Sequence, residues 1–406
     1  VASPKKAISL FSGAGGDTLG LERAGYEVVA FSEWKKPAIQ THLQAFPSSV
    51  QLVHPETGST NITELPDEVL MRYTGNVDVI FAGFPCQGFS HAGKKRADDP
   101  RNELVHEFVR AVRIIQPRWF IGENVPGLLS RTGRDPVTKE QRPVMEIIQD
   151  LFAAIGYSIA YRVWKAVEHG VAQDRKRLLL VGVPASHGWP VLPALPAKGV
   201  LPTIRSYLET HLEGAVEWNT DHTPHGLSPH YWIRTTDTKP SGTPHPNLLR
   251  LLHGIRNRST KERLSDPSEE KTIHVPGGLI SFGVRKSSYH GQVVDPDLPS
   301  KTIICTYGVC PRLFVGLYNE SLDRYWVRCL SVRELGQIQG FPADYPWCGT
   351  EKEKITQIGN AVPPPLAEAV ARSLEDVTYT QERPHTTVKD EMDEKKEDED
   401  EDEDEE

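Results

Sequence analysis

The chain has 406 residues, 38% hydrophobic and 25% charged, which suits a globular protein of two domains or of one core with a large insertion. No apolar run approaches the roughly 18 residues that cross a bilayer, and VASPKKAISLF at the start has too short an apolar stretch for a secretory signal. A membrane role is therefore excluded, and localisation stays open between nucleus and cytoplasm. The formal charge of -9 is concentrated at one end: residues 386–406 carry 14 acidic and 3 basic side chains, leaving 43 basic and 41 acidic on the remainder. That tail has almost nothing apolar to bury and is expected to be disordered. The five cysteines, Cys86, Cys305, Cys310, Cys329 and Cys348, are odd in number and mostly late in the chain, and read as reduced thiols rather than a disulfide framework.

From residue 7 to about 183, short apolar runs alternate with amphipathic stretches, the pattern of a doubly wound, mostly parallel sheet with helices on both faces. Strands are predicted at 8–11 (ISLF), 28–32 (VVAFS), 77–83 (VDVIFAG), 118–124 (RWFIGEN), 158–164 (SIAYRVW) and 177–183 (RLLLVGV). Helices are predicted after Asp17, over 103–115 with Leu104, Phe108, Val112 and Ile115 on one face, and over 143–154. After Pro184 the texture turns to Pro, His, Gly and Trp at irregular spacing until about residue 325, with a strand-like piece at 301–307 (KTIICTY). Helical periodicity returns at 331–341 and, behind a proline run, at 360–376. The chain divides accordingly into a first domain over 1–185, an irregular second domain over 186–326, a helical stretch over 327–380, and the tail over 381–406.

Four segments carry chemistry. FSGAGGDTLGLERAGY is a glycine-rich turn between strand and helix, with Glu33 at the end of the next strand, 20 residues after Gly13. That spacing suits a nucleoside cofactor, since an acidic side chain ending the second strand can take both ribose hydroxyls. Thr18 stands where a dinucleotide fold would have its third glycine, and a ligand-free turn would read much the same. Trp34 can stack on an adenine. GFPCQGFS (83–90) ends a strand and sets Cys86 behind a proline at the carboxyl edge of the sheet; ENV (123–125) ends another strand with Glu123. QDRKRLLLVG (173–182) alternates Gln173, Arg175 and Arg177 into a strand, so that the two arginines share one face. Taken singly these would be a packed thiol, an ion-paired carboxylate and a basic edge strand; a reactive cysteine and a carboxylate at neighbouring strand ends change that balance.

FSGAGG, EW, GFPCQ, ENV, QDRKR, RELGQIQGFP and QIGNAVP, in this order, resemble the DNA (cytosine-5)-methyltransferase family over residues 7–183 and 327–375. The resemblance implies a Rossmann-like catalytic core using S-adenosylmethionine, with Phe11, Gly13 and Gly15 along its methionine side. Glu33 and Trp34 would hold ribose and adenine, Asn61, Ile62, Pro85 and Leu104 would complete the pocket, and Asn360 and Val362 would close it; the final helix would return beside the first strand, making 186–326 an insertion and 327–380 a return to the catalytic core. Where the family commonly has Asp for the adenine amino group, the matching stretch is NIT, so Asn61 would accept that hydrogen bond and hold the cofactor more weakly.

The family's chemistry requires a thiolate at carbon 6 of cytosine, because carbon 5 is a poor nucleophile until an addition there makes the ring an enamine. Cys86 would be that nucleophile and Glu123 would supply a proton at N3. Arg177 would donate to O2, and Arg175 would support the site or a phosphate. The target base must leave the helix stack, and the loop 87–101, with Gln87, Ser90, Lys94, Arg96 and Arg101, is expected to close over the DNA backbone. Asn124 and Gln173 are expected beside the substrate, and the insertion is expected to read DNA sequence. No metal site is expected, because neither His222/His225 nor Cys305/Cys310 has a second pair at ligand spacing. The partner is double-stranded DNA and the active unit a monomer. The acidic tail is expected to solubilise, to bind a basic partner, or to lie in the DNA groove as a brake. The competing readings are a tRNA cytosine methyltransferase and a catalytically inactive DNA-binding regulator.

Overall fold

The structure is a computed structural model that describes residues 4–85, 103–135, 138, 140–194, 199–209, 291–308, 313–319 and 324–382, with short strand pieces at 216–217, 231–234, 256–257 and 278–280. In chain order the core comprises β1 (Lys5–Leu10), α1 (Gly16–Arg23), β2 (Tyr26–Ser32), α2 (Lys36–Ala45), β3 (Val50–Gln51), α3 (Asp67–Met71), β4 (Val79–Ala82), α4 (Glu103–Ile115), β5 (Trp119–Asn124), α5 (Val144–Ala153), β6 (Tyr157–Lys165) and β7 (Lys176–Pro184). They form a seven-stranded sheet in the order β3-β2-β1-β4-β5-β7-β6. The first five strands are parallel, and β7 runs antiparallel to both β5 and β6.

Alternation along the strands builds a core on each face. Phe120 of β5 packs with Ile8, Leu10, Phe108, Val112 and Phe152. Trp119 and Ile121 turn the other way, towards Ala7, Leu21, Val28 and Leu179. Strand order reverses between β1 and β4, the switch point where a crevice opens at the carboxyl ends. The loops holding Phe11–Gly15 and Gly83–Pro85 are thereby set side by side.

Later in the chain follow β8 (Leu313–Asn319), β9 (Arg324–Cys329), α6 (Val332–Gln339), α7 (Glu351–Asn360) and α8 (Pro364–Ser373). Capping boxes at Ser331/Glu334 and Thr350/Glu353 start α6 and α7, satisfying backbone N–H groups that a helix end leaves open. Pro364 starts α8, whose Leu366, Ala367 and Val370 join the core beside Ala7 and Leu21 of β1 and α1. The approach is close enough that a Cβ on Gly20 would meet Ala367 Cβ at 2.5 Å. The last helix thus returns beside the first strand, as the family resemblance implies.

Two expected elements differ. Phe11, expected to end β1, has φ 56° and leaves the strand. The strand expected over 301–307 shrinks to Ser300–Lys301, paired in parallel with Gln173–Asp174, followed by a 3-10 turn at Cys305–Gly308. Backbone groups that a longer strand would place in a ladder are used otherwise: Ile303 N–H donates to Gln173 Oε1 at 2.9 Å, and the Ile303 carbonyl accepts from Arg175 at 3.0 Å. A separate seven-stranded sheet, with the β8–β9 hairpin inside it, is drawn from 216–329.

Candidate active site

Phe11, Gly13 and Gly15 have φ of 56°, 54° and 86°, three left-handed positions in five residues. At Gly15 glycine is needed twice over, since a Cβ would be strained at that φ and would meet the Phe46 ring at 2.5 Å. The loop is held from below by Glu33, which ends β2. Its carboxylate accepts from Gly13 N–H at 2.9 Å through Oε2 and from Trp34 and Lys35 N–H at 2.8 Å through Oε1. Trp34 itself is 68% exposed, an indole face turned to solvent rather than into the core.

The far wall comes from the C-terminal return. Gly16 lies so near the Val362 carbonyl that a Cβ there would overlap it. Gly16→Ala should therefore push Val362 outward, destabilising the protein by about 1–3 kcal/mol, which denaturant unfolding checks. A Cβ built on Gly83 would lie 3.6 Å from Glu123 Oε2, 3.9 Å from the Phe11 carbonyl oxygen and 4.0 Å from Val362 Cγ2. The glycine leaves that space clear, so the loop over 11–16, the β4 end, the β5 carboxylate and the C-terminal wall face one small clearing.

Glu123 and Arg177 are both largely buried and form an ion pair, Arg177 Nε to Glu123 Oε1, at 2.9 Å. Register explains it: Glu123 stands opposite Leu179 on β7, and Arg177 is two residues along the same face. Asn124 donates to the Phe84 carbonyl at 2.9 Å and accepts from Val125 N–H at 2.9 Å, tying the chain two residues before Cys86 to the end of β5. Cys86 itself, with Gln87, Ser90, Lys94, Arg96 and Arg101, lies outside the described residues, as do the tail 386–406, His222, His225 and Cys310. Pro85 and Leu104 are half-buried at the two ends of that stretch.

The remaining expected residues make contacts of their own. Asn61 caps a short turn, accepting from Thr63 N–H at 3.3 Å and donating to Glu64 at 3.1 Å, while Ile62 beside it is buried. Asn360 is exposed at the end of α7 and Val362 is buried. Gln173 and Arg175 are fully buried; Gln173 bonds the side chain of Gln339, and Arg175 donates to main-chain carbonyls.

Asp17 was not among the expected residues. It sits in the first turn of α1, buried, accepting from Ser9 Oγ. Burial pushes its carboxyl up to about 7, with the charge of Glu123 adding a smaller push the same way. The signal available was an acid straight after the glycines, with a serine two residues before the loop. Folded Asp17 keeps its proton up to about pH 7, whereas in the unfolded chain it is lost near 3.8. Its contribution is thus fully present below 3.8 and is lost as pH rises through 7. Asp17→Asn should accordingly gain stability relative to the native protein between pH 4 and 8, by on the order of 4 kcal/mol. Parallel unfolding at the two pH values would show an unchanged difference if the carboxyl were ionised throughout. Behind the loop, His42 stacks on Phe31 with ring centroids 3.7 Å apart, and burial lowers it to about 3, so it is neutral.

A parallel sheet closed by an antiparallel β7–β6 pair, with a nucleoside-type loop at its switch point and a carboxylate–arginine pair across the crevice, defines a Rossmann-like enzyme of the S-adenosylmethionine-dependent methyltransferase fold. Solved structures agree on the fold: a variant of Spodoptera frugiperda DNMT2 (TM-score 0.59, 16% identity, covering 91% of this chain and 99% of that one) and the Entamoeba histolytica methyltransferase EhMeth (0.59, 16%, 92% and 99%).

The chain belongs to the C-5 cytosine-specific DNA methylase family, whose sequence model matches residues 5–376. It is similar to type II methyltransferase M.XorII of Xanthomonas oryzae, 30% identical over 398 residues (90% of this chain, 84% of that protein). A second relative is M1.HphI of Haemophilus parahaemolyticus, 32% identical over 378 residues (90% and 86%). It is thus a DNA methyltransferase acting at carbon 5 of cytosine, in a family that uses S-adenosylmethionine. These relatives are bacterial and lend the nuclear alternative no support. Among the described residues no helix is long and apolar enough to cross a membrane.

Proposed function

We propose that this chain binds S-adenosylmethionine between residues 11–16, 33–34 and 360–362 and methylates a flipped cytosine of duplex DNA through a covalent bond from Cys86 to carbon 6. The observation that carries the reading is the clearing at Gly83, bordered by Glu123 Oε2, Phe11 O and Val362 Cγ2.

The residues fit the cofactor. Open space lies over Gly13, the Ser12 hydroxyl is buried with no partner among the described residues, and the Trp34 indole is exposed for an adenine. A carboxylate offers about four acceptor positions; three at Glu33 go to the backbone, which leaves room for a ribose hydroxyl. When bound, S-adenosylmethionine supplies an electrophilic methyl group. The active unit in this reading is a monomer. Residues 186–326 are the part that reads DNA sequence.

The protein's own groups then act in order. Glu123 takes a proton from solvent as the base enters; the Cys86 thiolate then forms a bond to carbon 6, the displaced electron pair is met at N3 by that proton, and the ring becomes an enamine whose carbon 5 is nucleophilic. Arg177, held by Glu123 at 2.9 Å, keeps that carboxyl aimed at the clearing and donates to O2 of the base. After carbon 5 has gained its methyl it gives its proton to a water molecule, the C–H electron pair re-forms the double bond between carbons 5 and 6 as Cys86 leaves as thiolate, and the N3 proton returns to Glu123, so that hydrogen has been exchanged for methyl. Asn124 holds the approach to Cys86 through Phe84, and Lys94 and Arg96 contact phosphate.

Transfer of labelled methyl to mixed-sequence duplex DNA and not to tRNA, with the modified position found by sequencing, is the expected result; label confined to tRNA would overturn the substrate. Glu33→Ala should cost about a hundredfold in affinity for S-adenosylhomocysteine, because charge-assisted hydrogen bonds contribute about 1.5–3 kcal/mol each and three N–H groups lose their acceptor. Titration calorimetry reads it, and unchanged affinity would remove Glu33 from the pocket.

A further inference from the structure

Three segments remote in sequence meet at one buried joint beneath the active site. Arg175, 1% exposed, donates to the carbonyls of Ile303 at 3.0 Å, Gly359 at 2.7 Å and Ala361 at 3.5 Å. Gln173, fully buried, accepts from Ile303 N–H at 2.9 Å and donates to Gln339, which in turn donates to the Ala361 carbonyl at 2.7 Å. Thr302 Oγ1 bonds the Asp174 carbonyl at 2.9 Å, and Thr356 Oγ1 bonds that of Cys305 at 3.3 Å. Gly359 lies so close to Cys305 that a Cβ would be 2.5 Å from the Cys305 nitrogen.

Each segment ends at a different part of the reaction. Residues 173–175 lead directly into Arg177 and so to Glu123. Residues 300–305 belong to the insertion, just before β8 of its sheet. Residues 359–362 end in Val362, whose carbonyl abuts Gly16 of the cofactor loop. A guanidinium sharing its donors among carbonyls of two segments fixes their separation, because its fork is planar and rigid; an ammonium on a flexible stem cannot span them in the same way.

We propose that Arg175 is a positioning residue that couples DNA engagement by the insertion to closure of the cofactor pocket, so that each ligand strengthens binding of the other. This rests on the reading that the insertion contacts DNA and that 359–362 line the cofactor. Bound DNA fixes 300–305, the joint carries that constraint to 359–361, and Val362 is held against Gly16. Linkage makes the effect reciprocal. Arg175 touches neither substrate nor reacting atoms in this account.

The test uses the full chain, S-adenosylhomocysteine and a long mixed-sequence duplex. Affinity for S-adenosylhomocysteine should rise at least about fivefold, the low end of ordinary coupling, when the duplex is present. Arg175→Lys should bind each ligand alone within about threefold of the native protein yet lose that gain. Hydrogen exchange on the native protein provides a measurement that no folding defect can spoil: the duplex alone should slow exchange at 355–362. If S-adenosylhomocysteine alone fails to protect 359–362, or the duplex alone fails to protect 291–305, the underlying reading falls. Should both protections occur while the duplex leaves 355–362 unchanged, or Arg175→Lys keep the full gain, the coupling is refuted and the reading stands.

Discussion

Cys86→Ala transfers no labelled methyl to DNA while its affinity for S-adenosylhomocysteine stays within about twofold of the native protein. The expectation follows from the chemistry of the base. Without an addition at carbon 6 the ring never becomes an enamine, and neither the Glu123–Arg177 pair nor the cofactor pocket can make carbon 5 nucleophilic. Binding should survive because the pocket proposed above draws on residues 11–16, 33–34 and 360–362, with the clearing at Gly83 kept open by a residue that does not depend on the thiol. A methyl-transfer assay run beside a binding titration separates the two. Residual transfer by the variant would mean that another group attacks the ring.

Glu123→Gln has the next largest effect. An amide cannot supply the N3 proton, so kcat should fall by about 10²–10⁴, the range for a positioned general acid, with little change in KM. The substitution also leaves the Arg177 guanidinium without its carboxylate in a site where both side chains are largely buried. Removing one partner of a buried pair costs about 3–5 kcal/mol, so the variant should also unfold at lower denaturant. Loss of stability with kcat preserved would assign Glu123 to structure alone.

The central sheet was legible because its strands are short apolar runs separated by helices whose apolar residues recur at helical spacing. Along 103–115 the stripe of Phe108, Val112 and Ile115 sets both the helix and its buried face. The return of α8 to β1 rested on family resemblance, since nothing local in PPPLAEAV says which strand the helix meets. What the sequence could not express was long-range hydrogen bonding. KTIICTY has the β-branched texture of a strand, yet Ile303 is claimed by Gln173 and Arg175 from 130 and 128 residues away. Those side chains draw the segment out of a ladder.

The candidate site shows the same division. Glu33 was readable from its distance to Gly13, and its three backbone partners give that spacing a structural cause. Arg175 and Gln173 are expected beside the substrate from the resemblance; that their side chains also reach backwards into the joint with 303 and 359–361 is nothing their place before Arg177 could show. Asp17 was passed over because an acid in the first turn of a helix is ordinary on its own; only the packing of Ser9, Tyr345 and α8 around α1 makes it a buried, proton-holding group.

Covalent capture of the base is the central claim, and duplex DNA carrying 5-fluorocytosine tests it most directly. Fluorine at carbon 5 cannot leave as a proton does, so the bond from Cys86 to carbon 6 should persist once methyl has been transferred. Incubation of the full chain with S-adenosylmethionine and such a duplex should give a protein–DNA species stable to denaturant, with Cys86 the residue cross-linked in the digested complex. A cross-link at a different residue, or methylation of ordinary duplex DNA with no covalent species from the fluorinated one, would contradict it.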